Sequence, residues 1–282
     1  MPSETGEAMN HVVVDASRCR HDGICVANCP MGLLELGETP DGILPMSDEG
    51  ERCVECGHCV SVCRAGALSL TSMSRSDLRE SRPDHNPTPE QAEQLVQSRR
   101  SVRRYREESP PRALVERALD SARFAPTGLN SQPVAWTVID GRHKVHALAA
   151  SVRDFAADLL AKKHPLAERL DFARLVGDWD KGQDTILRDA PAVVIAHTPA
   201  ADPMGPGAAT IAMTYFQLAA TALGLGTCWA GYLQIALAMS SAIAKLAGIP
   251  EGRQAHGASM LGYAKHSYIA IPPRKPLQVN WV

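Results

Sequence analysis

Read for the spacing of apolar and polar positions, the chain divides into two unlike stretches. Over 112–124, apolar residues recur at Leu114, Val115, Ala118, Leu119 and Ala122, the spacing of a helix with one buried face. A helical pattern also covers 91–99, and longer ones cover 143–163, 208–223 and 235–246. The apolar runs AWTVI at 135–139 and PAVVIA at 191–196 predict buried strands, and a third strand is expected within 260–270. Helices and strands interleave throughout this part, which predicts helices layered around a sheet. Earlier in the chain the pattern is sparser, with short alternating strands at 34–36 and 68–70, each after a tight turn. Between them and the first long helix runs SMSRSDLRESRPDHNPTPE, which has no apolar period and three prolines near its end, the features of an exposed and partly extended linker. The expected organisation is a domain over 1–74, a linker over 75–90 and a second domain over 91–282.

The most apolar stretch, 208–225, is interrupted by Thr210, Thr214, Gln217 and Thr221; it is too short and too polar for a membrane span and reads as a buried helix. The first ten residues, MPSETGEAMN, lack the charged start and apolar run of a signal peptide, so a cytoplasmic location is expected. With 29 Lys and Arg against 31 Asp and Glu, the net charge of −2 gives no basis for a nucleic-acid or membrane-surface partner. The charge is unevenly placed. Residues 1–90 hold 7 Arg, no Lys and 15 acids, −8 in all, whereas 91–282 hold 22 bases and 16 acids, +6 in all. All 13 aromatic residues lie at or beyond Tyr105, while seven of the eight cysteines lie between Cys19 and Cys63. The first domain therefore lacks the large side chains that give a small domain its core, and disulfides or metal must hold it. In a reducing compartment clustered cysteines are metal or redox ligands more often than disulfides.

The cysteine segment repeats on itself at an offset of 34 residues. Cys19-Arg-His-Asp22-Gly-Ile-Cys25-Val-Ala-Asn-Cys29 overlies Cys53-Val-Glu-Cys56-Gly-His-Cys59-Val-Ser-Val-Cys63, and Pro30-Met-Gly32-Leu-Leu34 overlies Arg64-Ala-Gly66-Ala-Leu68. The second block has the C-x2-C-x2-C-x3-C spacing, in which three thiolates wrap one iron–sulfur cluster and the fourth serves the other. The expected partition is crossed: Cys53, Cys56 and Cys59 with Cys29, and Cys19 and Cys25 with Cys63. A zinc site, the bland alternative, needs four ligands and explains neither the seven cysteines nor the repeat.

Over about 10–72 the segment resembles the two-cluster bacterial ferredoxins, on the strength of seven ligand positions and the duplication together. It departs from them at Asp22, where the family's first block has a cysteine, and at Arg64, where a proline is usual. A carboxylate is a harder ligand than a thiolate. The second cluster is expected to be either 4Fe-4S with Asp22 on the fourth iron or 3Fe-4S, with His21 and water as competing ligands and a solvated turn before Gly23 as the alternative role for Asp22.

In the second domain no phosphate-binding G-x-x-x-x-G-K-[ST] loop occurs, and Gly224-Leu-Gly226-Thr-Cys228 follows a helix and lacks the third glycine of a dinucleotide fingerprint. Four other segments carry the signal: Ser98-Arg99-Arg100-Ser101-Val102-Arg103-Arg104, Pro126-Thr127-Gly128-Leu129-Asn130-Ser131-Gln132-Pro133, L-G-L-G-T-C-W-A-G-Y at 223–232, and I-P-P-R-K-P near the end. Arginine forks suit a phosphate, although a charge run also reads as a solvated face, and the polar turn offers amides and hydroxyls to a flat heterocycle, or is a plain loop. In this order and spacing they resemble the nitroreductase family of FMN enzymes over nearly all of 91–282, and a ferredoxin-like segment in front matches an arrangement found within that family.

The resemblance implies an α+β fold, a homodimer with two FMN sites at its interface, and an FMN-dependent oxidoreductase. It assigns Arg99, Arg100, Ser101 and Arg103, with Arg274 or Lys275, to the FMN phosphate and ribityl chain. Pro126, Thr127, Gly128 and Asn130 would come from the other subunit, with Gln132 behind them, and Cys228, Trp229 and Gly231 would line the flavin face. Ala230 stands where some members carry an acidic residue. Cys228 reads as a small buried hydrophobe or a reactive thiol; His197, Tyr215 and Phe216 read as packing residues; and Phe155, Leu166 and Phe172 are placed to shape a substrate pocket. No side chain is assigned as catalytic, because the flavin carries the chemistry. The expected function is electron delivery, from a donor such as ferredoxin, through two clusters to FMN for reduction of a small electrophile such as a nitro compound or enone. The alternatives are an NAD(P)H-driven enzyme, a non-enzymatic redox or iron sensor, and an enzyme whose substrate is flavin itself.

Overall fold

The computed structural model describes residues 11–47 and 50–282. The chain forms two compact units, one reaching to Asn86 and including Leu129–Ser131, the other comprising Pro87–Gly128 and Gln132–Val282. Among the described residues no helix is long and apolar enough to cross a membrane.

The first unit contains β1 (Val12–Val14), α1 (Ile24–Ala27), β2 (Glu35–Thr39), β3 (Gly42–Met46), α2 (His58–Val62) and β4 (Leu68–Leu70). β1 pairs antiparallel with β4, Val12 opposite Leu70, and β2 with β3, Glu35 opposite Met46. Its core is small: Val12, Leu34, Val60, Leu68 and Leu70 pack with Cys25 and Cys59. The sequence repeat is also a conformational one. His21 and Glu55, Gly23 and Gly57, and Gly32 and Gly66, each pair 34 residues apart, all have positive φ. Gly23 and Gly57 stand just before α1 and α2 in the left-handed conformation, which costs glycine little and other residues more.

The linker is more ordered than its composition suggests. Ser74 and Asp77 close a reciprocal cap on a short turn, Arg75 donates to the Val60 carbonyl at 3.1 Å, and Met73 and Leu78 pack on the core of the first unit.

The second unit contains α3 (Pro89–Ser98), α4 (Arg112–Ala122), β5 (Ala135–Asp140), α5 (Arg142–Ala161), α6 (Pro165–Arg169), α7 (Phe172–Asp180), β6 (Ala192–Pro199), α8 (Gly205–Ala222), β7 (Gly226–Trp229), α9 (Gly231–Met239), α10 (Ser241–Leu246) and β8 (Arg253–Gly262). The four strands pair antiparallel in the order β5-β6-β8-β7. Both faces are covered. Ala192, Val194 and Ala196 of β6 pack with α4 and α8, while Val193 and Ile195 join a larger core with α5, α7 and α9. A strand buried on both sides reads as a continuous apolar run, which is why β6 was visible in sequence.

Three expectations need correction. The strand expected within 260–270 is β8, which starts at Arg253 and ends at Gly262, leaving 265–282 exposed and without regular structure. The single helix expected over 235–246 is α9 and α10, divided at Ser240, whose hydroxyl caps α10 by accepting from Ile243 N at 3.3 Å. Phe172 is not a pocket residue: it is 2% exposed and packs against Tyr232 with ring centroids 6.2 Å apart.

Candidate functional site

In the first unit the thiols ring two cavities. Cys29, Cys53, Cys56 and Cys59 line one, and Cys19, Cys25 and Cys63, with Asp22 and His21, line the other. The grouping is crossed: Cys29 and Cys63 each follow a short helix, and the loop and first turn of that helix carry cysteines that line the other cavity. Burial pushes the Cys59 thiol up to about 11, with Cys53, Cys56 and Cys29 adding to the rise. Cys25 is raised by burial and by Cys63 and Cys19. The two sets that influence each other are the two sets that share a cavity.

Ionising several such thiols together needs compensating positive charge, which a metal cluster supplies. Among the described residues no three His, Cys, Asp or Glu groups converge as they would on a single ion. Thiols spread around a cavity suit a cluster of several metals better than one zinc. Each crossing cysteine also receives a backbone hydrogen bond, from Leu33 N to Cys29 Sγ (3.4 Å) and from Ala67 N to Cys63 Sγ (3.3 Å).

Asp22 occupies the repeat position of Cys56. Its Oδ1 accepts from Ile24 N at 3.2 Å, so it serves the α1 turn while lining the second cavity. His21 donates from Nδ1 to the Ile43 carbonyl, leaving Nε2 of the neutral ring as an acceptor.

In the second unit the arginine segment lies beside the strand that precedes Gly231. Ser101 bridges to Thr227 in parallel, and Val102 N donates to Thr227 O at 2.9 Å. This close approach needs a glycine: a Cβ on Gly226 would stand 2.7 Å from Val102 Cγ2. Arg99 and Arg100 are half-buried and Arg103 is exposed, and among the described residues none of the three forms an ion pair with an acid. Unpaired guanidinium groups suit a phosphate, which they bind through paired N–H donors. Thr227 Oγ1, next to them, is buried without a hydrogen-bond partner. Cys228 is 4% exposed, Trp229 is half-buried, and Gly231, exposed, opens α9.

Of the polar turn, Thr127 and Gln132 line a shared cavity with Trp136 and Ala212, and Gln132 N donates to Thr127 Oγ1 at 3.0 Å. Pro126 and Gly128 are exposed. Leu129, Asn130 and Gln132 all have positive φ without being glycine, local strain of the kind found where a loop presents groups to a ligand. Asn130 groups with the first unit, where its Nδ2 donates to the carbonyls of Val54 (3.0 Å) and Glu55 (3.1 Å). Arg274 and Lys275 lie exposed on the terminal segment.

Sequence reasoning missed two groups. His197, read as packing, is buried but is a hydrogen-bonding node. Arg253 Nε donates to His197 Nδ1 at 2.7 Å, His197 Nε2 lies 3.1 Å from Thr137 Oγ1, and Arg253 Nη2 donates to the carbonyls of Pro133 (2.6 Å) and His197 (2.9 Å). Burial, then the Arg253 charge, pushes His197 down to about 4. The node fixes Pro133, the last residue of the polar turn. Phe216 is fully buried as expected, whereas Tyr215 is exposed. The second group surrounds a cavity beside Tyr232, lined by Arg174, Asp178 and Arg188. There the Asp184 carboxylate accepts from Ile186, Leu187 and Asp189 N (2.8–3.0 Å) and organises the turn that carries Arg188.

The geometry agrees with comparison to known proteins. Residues 17–68 match the 4Fe-4S dicluster domain and residues 96–263 the nitroreductase family. No curated protein matches the chain. Solved structures of similar fold include FMN-bound nitroreductases from Bacteroides fragilis (21% identity, TM-score 0.52, 67% of this chain and 95% of that one) and Desulfitobacterium hafniense (22%, 0.54, 67% and 96%). A BluB-like flavoprotein from Clostridium difficile is also similar (19%, 0.53, 66% and 94%). With more than half of its length matched by the family model, the chain belongs to the nitroreductase family and carries a 4Fe-4S dicluster domain at its N-terminal side.

Proposed function

We propose that the chain is an FMN-dependent oxidoreductase in which two iron–sulfur clusters of a 1–74 domain pass electrons, from a donor such as ferredoxin, to FMN on a 91–282 domain for reduction of a small organic electrophile. The observation that carries this reading is the division of seven thiols between two cavities, in a chain otherwise belonging to the nitroreductase family.

Cys53, Cys56, Cys59 and Cys29 would hold one 4Fe-4S cluster. Cys19, Cys25 and Cys63 would hold the other, with Asp22 on the fourth iron or with a 3Fe-4S cluster lacking it. Arg99, Arg100, Ser101 and Arg103 would hold the FMN phosphate and ribityl chain, aided by Arg274 or Lys275. Pro126, Thr127, Gly128, Asn130 and Gln132 of a second copy would meet the flavin edge, and Cys228, Trp229 and Gly231 its face, so that a homodimer completes two sites. Bound FMN would supply the exchange between single electrons and electron pairs. The residues around it bind and orient: the arginines offset the phosphate charge, and the Arg253–His197 node keeps Pro133 and the turn before it in place. His197, uncharged above a pH of about 4, stays out of the charge balance.

The test is anaerobic flavin reduction by reduced ferredoxin. Wild-type protein is expected to bleach, and Cys53→Ala to retain FMN but lose bleaching through the clusters. Bleaching of Cys53→Ala at the wild-type rate would overturn the route. Direct bleaching by NADPH would favour hydride-driven turnover, and absence of turnover with any acceptor would favour a sensor.

A further inference from the structure

His11 lines the cavity ringed by Cys29, Cys53, Cys56 and Cys59, yet it belongs to neither ligand set. It immediately precedes β1, and its carbonyl accepts from Thr71 N at 3.0 Å, which fastens it beside the end of β4. One ring nitrogen is engaged, Nδ1 lying 3.3 Å from Thr71 Oγ1. The other, Nε2, is buried and among the described residues has no hydrogen-bond partner. Glu55 Oε1 stands 3.9 Å from it, an ion-pair distance for a protonated ring but beyond hydrogen-bond reach of the neutral one. A buried, unpaired ring nitrogen is costly, and native proteins keep such a group where a partner is supplied by something bound.

The hydrogen bond between Thr71 Oγ1 and His11 Nδ1 can run in either sense. A threonine hydroxyl can donate, and when Thr71 donates to Nδ1 the neutral imidazole carries its proton on Nε2. What a cluster in this cavity would offer an N–H donor is sulfur. We propose that His11 Nε2–H donates a hydrogen bond to the sulfur of the cluster held by Cys29, Cys53, Cys56 and Cys59, and so raises that cluster's reduction potential. A donor at sulfur stabilises the more negative, reduced form, one of the means by which proteins set cluster potentials. The proposal rests on the two-cluster reading of the first unit and adds a potential-setting residue to it.

The repeat provides an internal reference. Thirty-four residues beyond His11 stands Pro45, which lines the second cavity and has neither an N–H nor a polar side chain. His21, the imidazole at that cavity, spends its Nδ1 proton on the Ile43 carbonyl. Changing His11 should therefore move one cluster and leave the other.

The experiment is an anaerobic redox titration of the full-length holoprotein followed by electron paramagnetic resonance, with iron and sulfide measured on the same samples. His11→Phe is expected to lower one of two midpoint potentials by about the 59 mV that corresponds to a tenfold change in oxidised-to-reduced ratio for one electron, and to leave the other in place. His11→Gln, whose amide N–H extends to a similar position, should recover most of the shift. Unchanged potentials, equal movement of both clusters, or a glutamine variant indistinguishable from phenylalanine would overturn the proposal. If His11→Phe loses iron, Thr71→Val makes the comparison: removing the hydroxyl that directs the proton to Nε2 should lower the same potential by less, and no change would overturn the proposal. Wild-type protein without two clusters' worth of iron and sulfide would instead defeat the two-cluster reading.

Discussion

Cys59 is buried enough that its thiol is pushed up to about 11, yet a cluster ligand must be a thiolate. The charge of the metal has to supply the difference, so assembly of the site and stability of the first unit are coupled. Cys53→Ala is expected to remove one cluster, about four iron atoms per chain, while leaving the other cluster and the flavin, as read by iron, sulfide and FMN content. His197 gives a different kind of prediction. Its folded value of about 4 lies below the ordinary 6.5, so the unfolded chain binds more protons between those values and the folded state loses stability as pH falls from about 6.5 to 4. All four tryptophans lie beyond residue 130, so urea unfolding followed by their fluorescence reads the second unit. His197→Asn should flatten this part of the pH profile, and an unaltered slope would contradict the assignment. At this scale the grouping of the cysteines was legible because their spacing and the 34-residue repeat stand in the sequence itself. The His197–Arg253 pair, 56 residues apart, leaves no local trace. Nor was Asn130's engagement with Val54 and Glu55 visible in a motif read for its flavin role.

Among the elements, α8 and β6 were legible from their apolar runs, and α4 from its period. Phe216 on α8 is fully buried against Trp136, with ring centroids 5.8 Å apart. Phe216→Ala should cost about 3–5 kcal/mol by leaving a cavity, measured as a lower urea midpoint. β7 was missed because four residues, Gly226–Trp229, are too few to show alternation. β8 was misplaced because Ala255, Gly257, Ala258 and Ser259 are small and carry little hydrophobic signal, although they let helices and Trp229 approach closely. Gly226→Ala should cost about 1–3 kcal/mol by forcing β7 from Val102. Because Ser101 rides on the same contact, flavin should also be lost more readily on gel filtration. Gly207→Ala is the control, a helical position where an added Cβ meets nothing within 4 Å and should stabilise by about 0.5–1 kcal/mol. Equal behaviour of the two variants would contradict the role given to the Val102–Gly226 approach.

The whole molecule joins two ways of stabilising a fold in one chain. The second unit has two apolar cores on either side of a sheet, whereas the first has a few aliphatic residues around cysteines and no aromatic residue up to Asn86. That contrast, with net charges of −8 over 1–90 and +6 over 91–282, was legible from composition. The family of the second unit was legible because four short motifs keep their order. The cavity beside Tyr232 was not, since Arg174, Arg188 and Tyr232 come together from separate elements. The central claim, one polypeptide holding two clusters and a flavin, is tested most directly by iron, acid-labile sulfide and FMN per chain in anaerobically purified protein. The account predicts about seven or eight iron atoms, with one FMN, the lower iron value marking an unfilled corner at Asp22. Full iron with no flavin, or flavin with one zinc and no sulfide, would contradict it.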